Sequence, residues 1–434
     1  MPDRAELHVG PAGGLFGGLV VPGDKSVSHR SVMLGSLADG RVRVEGFGAS
    51  ADTLSTVEAF RAMGVSIERP DETTLLIDGV GLRGLRAPKV AIDVGNAGTL
   101  IRLLPGLLAG QQGTFTLDGD ESIRRRPMGR VAAPLAEMGV AIETTEGLPP
   151  VRITGAAHTQ PISYRLPVAS AQVKSCLLFA GLFAEHGVTT IEEPIPTRDH
   201  TERMLRRAGV PVDRRPGRVS ISPVTRLDLD ELEVPGDFSS AAPFIAAGCV
   251  LAGSNLTIQG VGINPTRTGM LVVLERMGAR VGLFARRWAG GEPVADIEVE
   301  HADLVATEIG PREVPGMIDE LPLFALAASM ARGDSVVRGA AELRQKESDR
   351  IEAVTDALRA LGIRIKSSQD GFRVRGVPSR PRGGAMDSGG DHRIAMLGAV
   401  AGLVSREGVR IEGAEAVSVS FPGFYDVLSS VTQQ

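Results

Sequence analysis

Residues 25–30 read KSVSHR, and Lys25, Ser26 and Arg30 are the side-chain types that hold a phosphate or a carboxylate. On a helix Ser26 and Arg30, four positions apart, share a face; Ser26 reads as the cap, with Lys25 and Arg30 near the same end. The preceding GLVVPGDKS is no nucleotide loop, because Asp24 stands between Gly23 and Lys25 and breaks the spacing. GNAGTLIR (95–102) offers Asn96, Gly98 and Thr99 at a helix start, small enough for backbone to approach a ligand. In RRRPMGR, Pro127 restricts Arg126 to an extended conformation that could aim it at a carboxylate. ASAQVKS places Ser170, Ala171, Gln172 and Lys174 at another helix start, and PTRDHTERM adds Arg198 and Asp199, the latter reading as a cap. Acids come later. VPGMIDELPLF carries Asp319 and Glu320 at a helix start, where the helix field alone would favour them. ELRQKESDR packs Arg344, Lys346, Glu347, Asp349 and Arg350 into seven residues, and taken alone reads as a solvated helix start. GGDHRIAM sets Asp391, His392 and Arg393 before an apolar helix, a costly place for charge without a partner. Singly these are caps and solvated charges. Jointly they supply cations and helix N-termini suited to anions.

The elements that must position these residues form a repeat. VPGD occurs at 21 and again at 234, and related segments recur at Gly23, Gly95, Ala169, Gly236, Gly316 and Gly390. Each has a short extended stretch, a small-residue turn, an apolar helical run and a strand; a second helix then closes on a phrase such as FRAMGVSIE or LRALGIRIK. Intervals of 67 to 80 residues are too long for a solenoid, so six α/β units in two groups of three are expected. The second VPGD phrase is followed by no cation and reads as a structural relic of the repeat. The expected domains are 23–235 and 1–22 plus 236–434, with the strand-like LHV and GGLVV of the first segment pairing into the second domain.

Length and composition fit a folded chain of at least two domains: 434 residues, 43% hydrophobic and 23% charged. A net charge of -5 argues against a nucleic-acid partner. No apolar run is long enough for a bilayer, no signal peptide is read, and the two cysteines lie in apolar runs, so a cytoplasmic protein with buried free thiols is expected. Histidines and cysteines lack metal spacing, so no metal site is expected. GVGLRG (79–84) matches a dinucleotide pattern but leads into strand-like sequence and is set aside. The chain has 42 Arg and five Lys, and three of the five, Lys25, Lys174 and Lys346, fall in the motifs above. A compact ammonium is hinted at there.

In order, VPGDKSVSHR, GNAGT, RRRPMGR, ASAQVKS, LRQKESDR and DHRIAM resemble the 5-enolpyruvylshikimate-3-phosphate synthase family of enolpyruvyl transferases. The resemblance implies two α/β domains of three βαβαββ units, with helix N-termini facing an interdomain cleft. It implies transfer of the enolpyruvyl group of phosphoenolpyruvate to the 5-hydroxyl of shikimate 3-phosphate, by addition and elimination, with no metal or organic cofactor, in a monomer. By motif, Ser26, Arg30, Ser170, Ala171, Gln172, Arg198 and Lys346 would hold shikimate 3-phosphate, with Asp319. Asn96, Gly98, Arg126, Gln172, Arg350 and Arg393 would hold phosphoenolpyruvate, and Lys25 would touch both. Asp319 would be the base, and Glu347 with Lys25 the proton-transfer group. Two departures stand out. Val419 replaces a Lys that many members carry before Ser/Thr-Phe-Pro, and Gly98 replaces the Ala of the glyphosate-insensitive branch that ASAQVKS and PTRDHTE resemble, so glyphosate is expected to inhibit. The alternatives are a UDP-N-acetylglucosamine enolpyruvyl transferase, which uses a Cys in the loop matching DGDESIRRRPMGR where this chain has none, and a non-catalytic anion-binding module.

Overall fold

The computed structural model describes residues 5–433 and separates into two compact units. One comprises Gly23–Pro235 with Trp288–Glu292; the other comprises the chain up to Pro22, Gly236–Arg287 and everything from Pro293 onward. The sequence-based division puts 288–292 with the second unit, whereas these residues, the tip of a hairpin built from Arg280–Ala289 and Glu292–Glu300, belong to the first. There His200 Nδ1 lies 2.8 Å from Glu292 Oε1, with both side chains buried.

Each unit has its own apolar core. Six leading helices run through these cores: α1 Lys25–Leu37, α2 Gly98–Leu108 and α3 Ala171–Gly181 in the N-terminal unit, and α4 Phe238–Val250, α5 Leu321–Met330 and α6 His392–Val404 in the C-terminal unit. Their sequences are apolar or small on nearly every face, which is what full burial requires. Helices α2 and α3 pack so closely that a Cβ on Gly106 would lie 2.1 Å from the Cys176 carbonyl oxygen. No larger residue fits there.

The N-terminal unit has three four-stranded sheets, each with one parallel and two antiparallel pairings. In the first, Glu231–Glu233 runs parallel to Asp39–Glu45, so the end of the segment completes the sheet of its beginning. The same exchange occurs in the C-terminal unit. Gly14–Val20 pairs in parallel with Asn255–Gly262 and antiparallel with Thr432–Gln433, and Glu6–Val9 pairs with Val409–Glu412. Segment 1–22 thus supplies strands to the C-terminal unit, at the LHV and GGLVV stretches. Among the described residues no helix is long and apolar enough to cross a membrane.

Both cysteines are free and buried. Burial pushes the Cys249 thiol up to about 12 and that of Cys176 higher still.

Candidate active site

The repeated VPGD phrases place an aspartate, not the following serine, at the helix N-cap. Asp24 Oδ1 accepts from the Val27 N–H at 2.9 Å, and Asp237 Oδ1 from the Ser239 N–H at 2.7 Å. The cap expected at Ser26 is therefore corrected: Ser26 lies inside the first turn of α1, because the carboxylate two residues earlier already reaches the free N–H. Arg30, 4% exposed, is drawn into the unit. It donates to the Thr201 hydroxyl at 2.7 Å, the Ser175 hydroxyl at 3.0 Å and the Ser26 carbonyl at 2.8 Å. Burial pushes its pKa down to about 10, Glu202 and Asp24 oppose that, and Arg198 adds to it, so Arg30 and Arg198 form one electropositive locality. Lys25 reaches Asp52 at 2.9 Å. Asp52 sits in the first turn of the helix Ala51–Ala62, where the helix field favours a carboxylate.

A buried imidazole lies under this locality. His29 Nδ1 is 2.6 Å from the Thr56 hydroxyl, and burial, helped by Lys25 and Arg30, holds its pKa well below the ordinary 6.5. The unfolded chain then binds a proton that the folded one refuses. Stability should therefore fall as pH drops below 6.5, with this residue contributing a slope of about 1.4 kcal/mol per pH unit, until the folded-state pKa is reached. Urea titrations between pH 7 and pH 5 should show that slope in the wild type and lose it in His29→Asn.

Of the three consecutive arginines, one turns inward. Arg124 is held bidentate by Asp118, Arg125 pairs with Glu121 on the surface, and Arg126 is 8% exposed. Arg126 Nη2 donates to Asn96 Oδ1 at 2.9 Å, and Asn96 Nδ2 donates to Asp120 Oδ2 at 2.6 Å. A Cβ on Gly98 would stand 2.2 Å from Arg126 Nη1. The turn itself uses the Gly98 N–H, which donates to the Asn96 carbonyl at 2.8 Å. Across the α2–α3 contact, Arg102 donates to Gln172 Oε1 at 2.7 Å, and Gln172 Nε2 donates to the Thr99 hydroxyl at 3.3 Å. These are the partners that a Gln at the start of α3 requires. Ser170 caps α3 through the Val173 N–H at 3.4 Å, with Ala171 the first helical residue.

Two further readings change. Asp199 occupies a cap position but makes no cap bond; its carboxylate pairs instead with Arg203 at 2.8 Å and with Arg214, cations that outcompete a neutral N–H. Lys174 is fully buried and paired with Glu193 at 2.9 Å and Glu202 at 2.7 Å, so its ammonium is a structural group.

In the C-terminal unit the dense charge run before the helix Arg350–Ala360 is no solvated start. Arg344 and Asp349 tie it down, Asp349 capping the helix and pairing with Arg344 at 2.6 Å. Arg350 is 1% exposed and gathers three carboxylates: Asp391 at 2.8 and 3.1 Å, Glu347 at 2.5 Å and Asp319 at 3.3 Å. Burial opposes its charge, but Asp391, Glu347 and Asp319 outweigh burial and raise its pKa. Lys346 lies 3.9 Å from Asp319. Asp391 caps α6 through the Arg393 N–H at 2.9 Å; burial opposes its ionisation, yet Arg350 prevails and lowers its pKa. Arg393 donates to the Ser239 carbonyl at 3.1 Å. Asp319, Lys346, Glu347 and Arg350 are thus one cluster, with Arg393 joined to it through Asp391.

The cation that the second VPGD phrase lacks comes from elsewhere. Arg267 pairs with Asp237 and donates to the Ser239 hydroxyl at 3.0 Å, while that hydroxyl donates to the buried Glu320. Position 239 is thus part of a charged network rather than a bare relic. Arg102, Asp52, Glu202 and Arg267 were missed as partners because each lies tens of residues from the group it meets, although Arg102 and Glu202 stand inside the quoted motifs GNAGTLIR and PTRDHTERM.

These clusters combine buried guanidinium groups at helix starts with carboxylates aimed at them, the makeup of a protein that binds anions and moves protons. At 22% identity and a TM-score of 0.78, covering 98% of this chain and 96% of the other, the enolpyruvyl transferase NikO of Streptomyces tendae shares the fold. The profile of EPSP synthase (3-phosphoshikimate 1-carboxyvinyltransferase) matches residues 10–428, and the chain belongs to that family. It is 51% identical to a 3-phosphoshikimate 1-carboxyvinyltransferase of Methylococcus capsulatus over 96% of this chain and 95% of that one. It is also similar to the EPSP synthase structure from Acinetobacter baumannii, with 44% identity, a TM-score of 0.88, and 99% and 98% of the two chains covered.

Proposed function

We propose that the chain transfers the enolpyruvyl group of phosphoenolpyruvate to the 5-hydroxyl of shikimate 3-phosphate and releases phosphate. The observation that carries this reading is the pair of carboxylates, Asp319 and Glu347, held on one buried guanidinium beside Lys346. A pure anion binder gains nothing from acids at that place; a proton-transfer enzyme needs them. Family membership supports the same reading.

In the proposed reaction the 5-hydroxyl oxygen bonds to C2 of phosphoenolpyruvate while Asp319 takes the hydroxyl proton. Glu347 with Lys25 delivers a proton to the methylene carbon, giving a tetrahedral intermediate. Loss of a methyl proton and cleavage of the C–O bond to phosphate then restore the double bond. Ser26, Arg30, Ser170, Ala171, Gln172, Arg198 and Lys346 are assigned to shikimate 3-phosphate. Asn96, Gly98, Arg126, Gln172, Arg350 and Arg393 are assigned to phosphoenolpyruvate, with Lys25 touching both. Fixing two anionic reactants in line supplies roughly 7–11 kcal/mol of the barrier reduction. The cytoplasm and a monomeric state go with this proposal.

The UDP-N-acetylglucosamine reading is disfavoured by Cys176 and Cys249, both buried with raised thiol pKa values and so unsuited to donate or attack. The direct test is phosphate release on mixing the protein with both substrates. Release that needs both supports the proposal, and none above the single-substrate controls ends it.

Glyphosate, lying where phosphoenolpyruvate would, is proposed to inhibit. Gly98→Ala would drive a methyl into the Arg126 guanidinium and swing it off Asn96. The KM for phosphoenolpyruvate and the glyphosate inhibition constant should both rise, by roughly tenfold for one charged hydrogen bond disturbed. Indifference to millimolar glyphosate in the parent protein would sink the idea.

A further inference from the structure

Between the motifs LRQKESDR and DHRIAM, the hairpin Ile365–Ser368 and Gly371–Gly376 in the C-terminal unit carries a second concentration of positive charge. Arg364 and Lys366 on one strand stand opposite Arg375 and Arg373 on the other: Lys366 is the register partner of Arg373, and the Arg375 N–H donates to the Arg364 carbonyl at 2.9 Å. All four are exposed, and Arg359, at the end of the preceding helix, joins them around a cavity of about 390 Å³ floored by Ile363 and Ile365. Asp334 pairs with Arg373 at 2.7 Å and Asp356 approaches Arg359 at 3.8 Å. On its other side Arg375 has Asp334 as its register partner; among the described residues no acid makes an ion pair with Arg364 or Lys366.

The repeat provides an internal comparison. The equivalent hairpins set Ser66 opposite Asp78 and Glu68 opposite Leu76 in the first unit, and Glu143 opposite Arg152 in the second. In the third, Arg215 faces Arg218 but is neutralised by Asp213 at 3.1 Å, and in the fourth Arg280 lies 3.9 Å from Glu300. The fifth hairpin alone of these opposes cation to cation at two successive outward positions. Like charges facing across a pair of strands destabilise it, and a chain of net charge -5 has acids to spare for the place. Asp334 compensates Arg373 and Arg375 from the neighbouring strand, but no described acid does so for Arg364 and Lys366; a ligand would.

We propose that this cavity binds a compact polyanion carrying two or three linked phosphate groups. Alternate residues on a strand are about 6.6 Å apart and neighbouring strands about 4.8 Å apart, so the four heads form a small rectangle of positive charge matched to closely linked anions. Guanidinium groups bind phosphate oxygens bidentately.

The test uses the full chain and tripolyphosphate as the probe, at low salt, in the wild type and in Arg364→Gln/Lys366→Gln; neither residue is assigned to the proposed reaction. Affinity measured calorimetrically should weaken about tenfold or more in the variant, as expected for two lost charged contacts. The unliganded variant should melt no lower than the wild type, since a repulsion has been removed. Arg375→Gln serves as a second variant if the first fails to fold. Equal affinity in wild type and variants would overturn the proposal, as would the absence of binding to the wild type. A single-stranded oligonucleotide that binds more tightly than tripolyphosphate, and is lost in the same variants, would overturn it in favour of a nucleic-acid surface.

Discussion

Arg350→Met is expected to cost about 3–5 kcal/mol of unfolding free energy and to leave no measurable phosphate release. The guanidinium is 1% exposed and is the common partner of Asp391, Glu347 and Asp319, so the substitution leaves three acids around an apolar side chain. Asp391 would feel it most, being 1% exposed itself, although the Ser348 hydroxyl and the Arg393 N–H still donate to it. Its folded pKa lies below the ordinary 3.8, so its contribution is present above that value and lost as pH falls through the folded one. Urea midpoints of the two proteins should therefore converge towards the acid end. A variant as stable as the wild type at neutral pH would show that the cluster is better solvated than its burial implies.

Asp319→Ala is expected to reduce turnover by about 10²–10⁴-fold while the protein remains folded. The two effects separate because Arg350 keeps Asp391 and Glu347 when Asp319 is removed. Lys25→Ala should match it in turnover, with Asp52 still favoured by its place in the first turn of a helix. Single-turnover phosphate release is the measurement, with a thermal melt to establish folding. Near-normal rates in either variant would remove that residue from the proposed chemistry.

Local pattern carried the architecture. Six apolar runs became α1 to α6, and the VPGD phrases lie at the starts of α1 and α4, because helix periodicity and turn residues act over a few positions. Polar partnerships were less legible, since they are settled by where helices pack. Asp24 rather than Ser26 caps α1, and Asp199 pairs with arginines four and fifteen residues away. The run at 344–350 looks solvated by composition, yet its Arg350 is buried, because Asp319 and Asp391 from distant segments converge on it with Glu347 of the same run. Gly98 reads as small from sequence, but the space a side chain would need there is taken by Arg126, 28 residues on, which no local pattern shows.

The strand exchange has a consequence for biosynthesis. Gly14–Val20 is an inner strand of its sheet, between Asn255–Gly262 and Thr432–Gln433, yet it leaves the ribosome some 240 residues before the first neighbour and 419 before the second. At about 5–20 residues per second it waits from about ten seconds to more than a minute with both edges unsatisfied. A permuted gene that opens at Gly236 and joins the old ends would deliver each unit as one stretch, apart from the hairpin tip at 288–292, and newly made chains should then aggregate less.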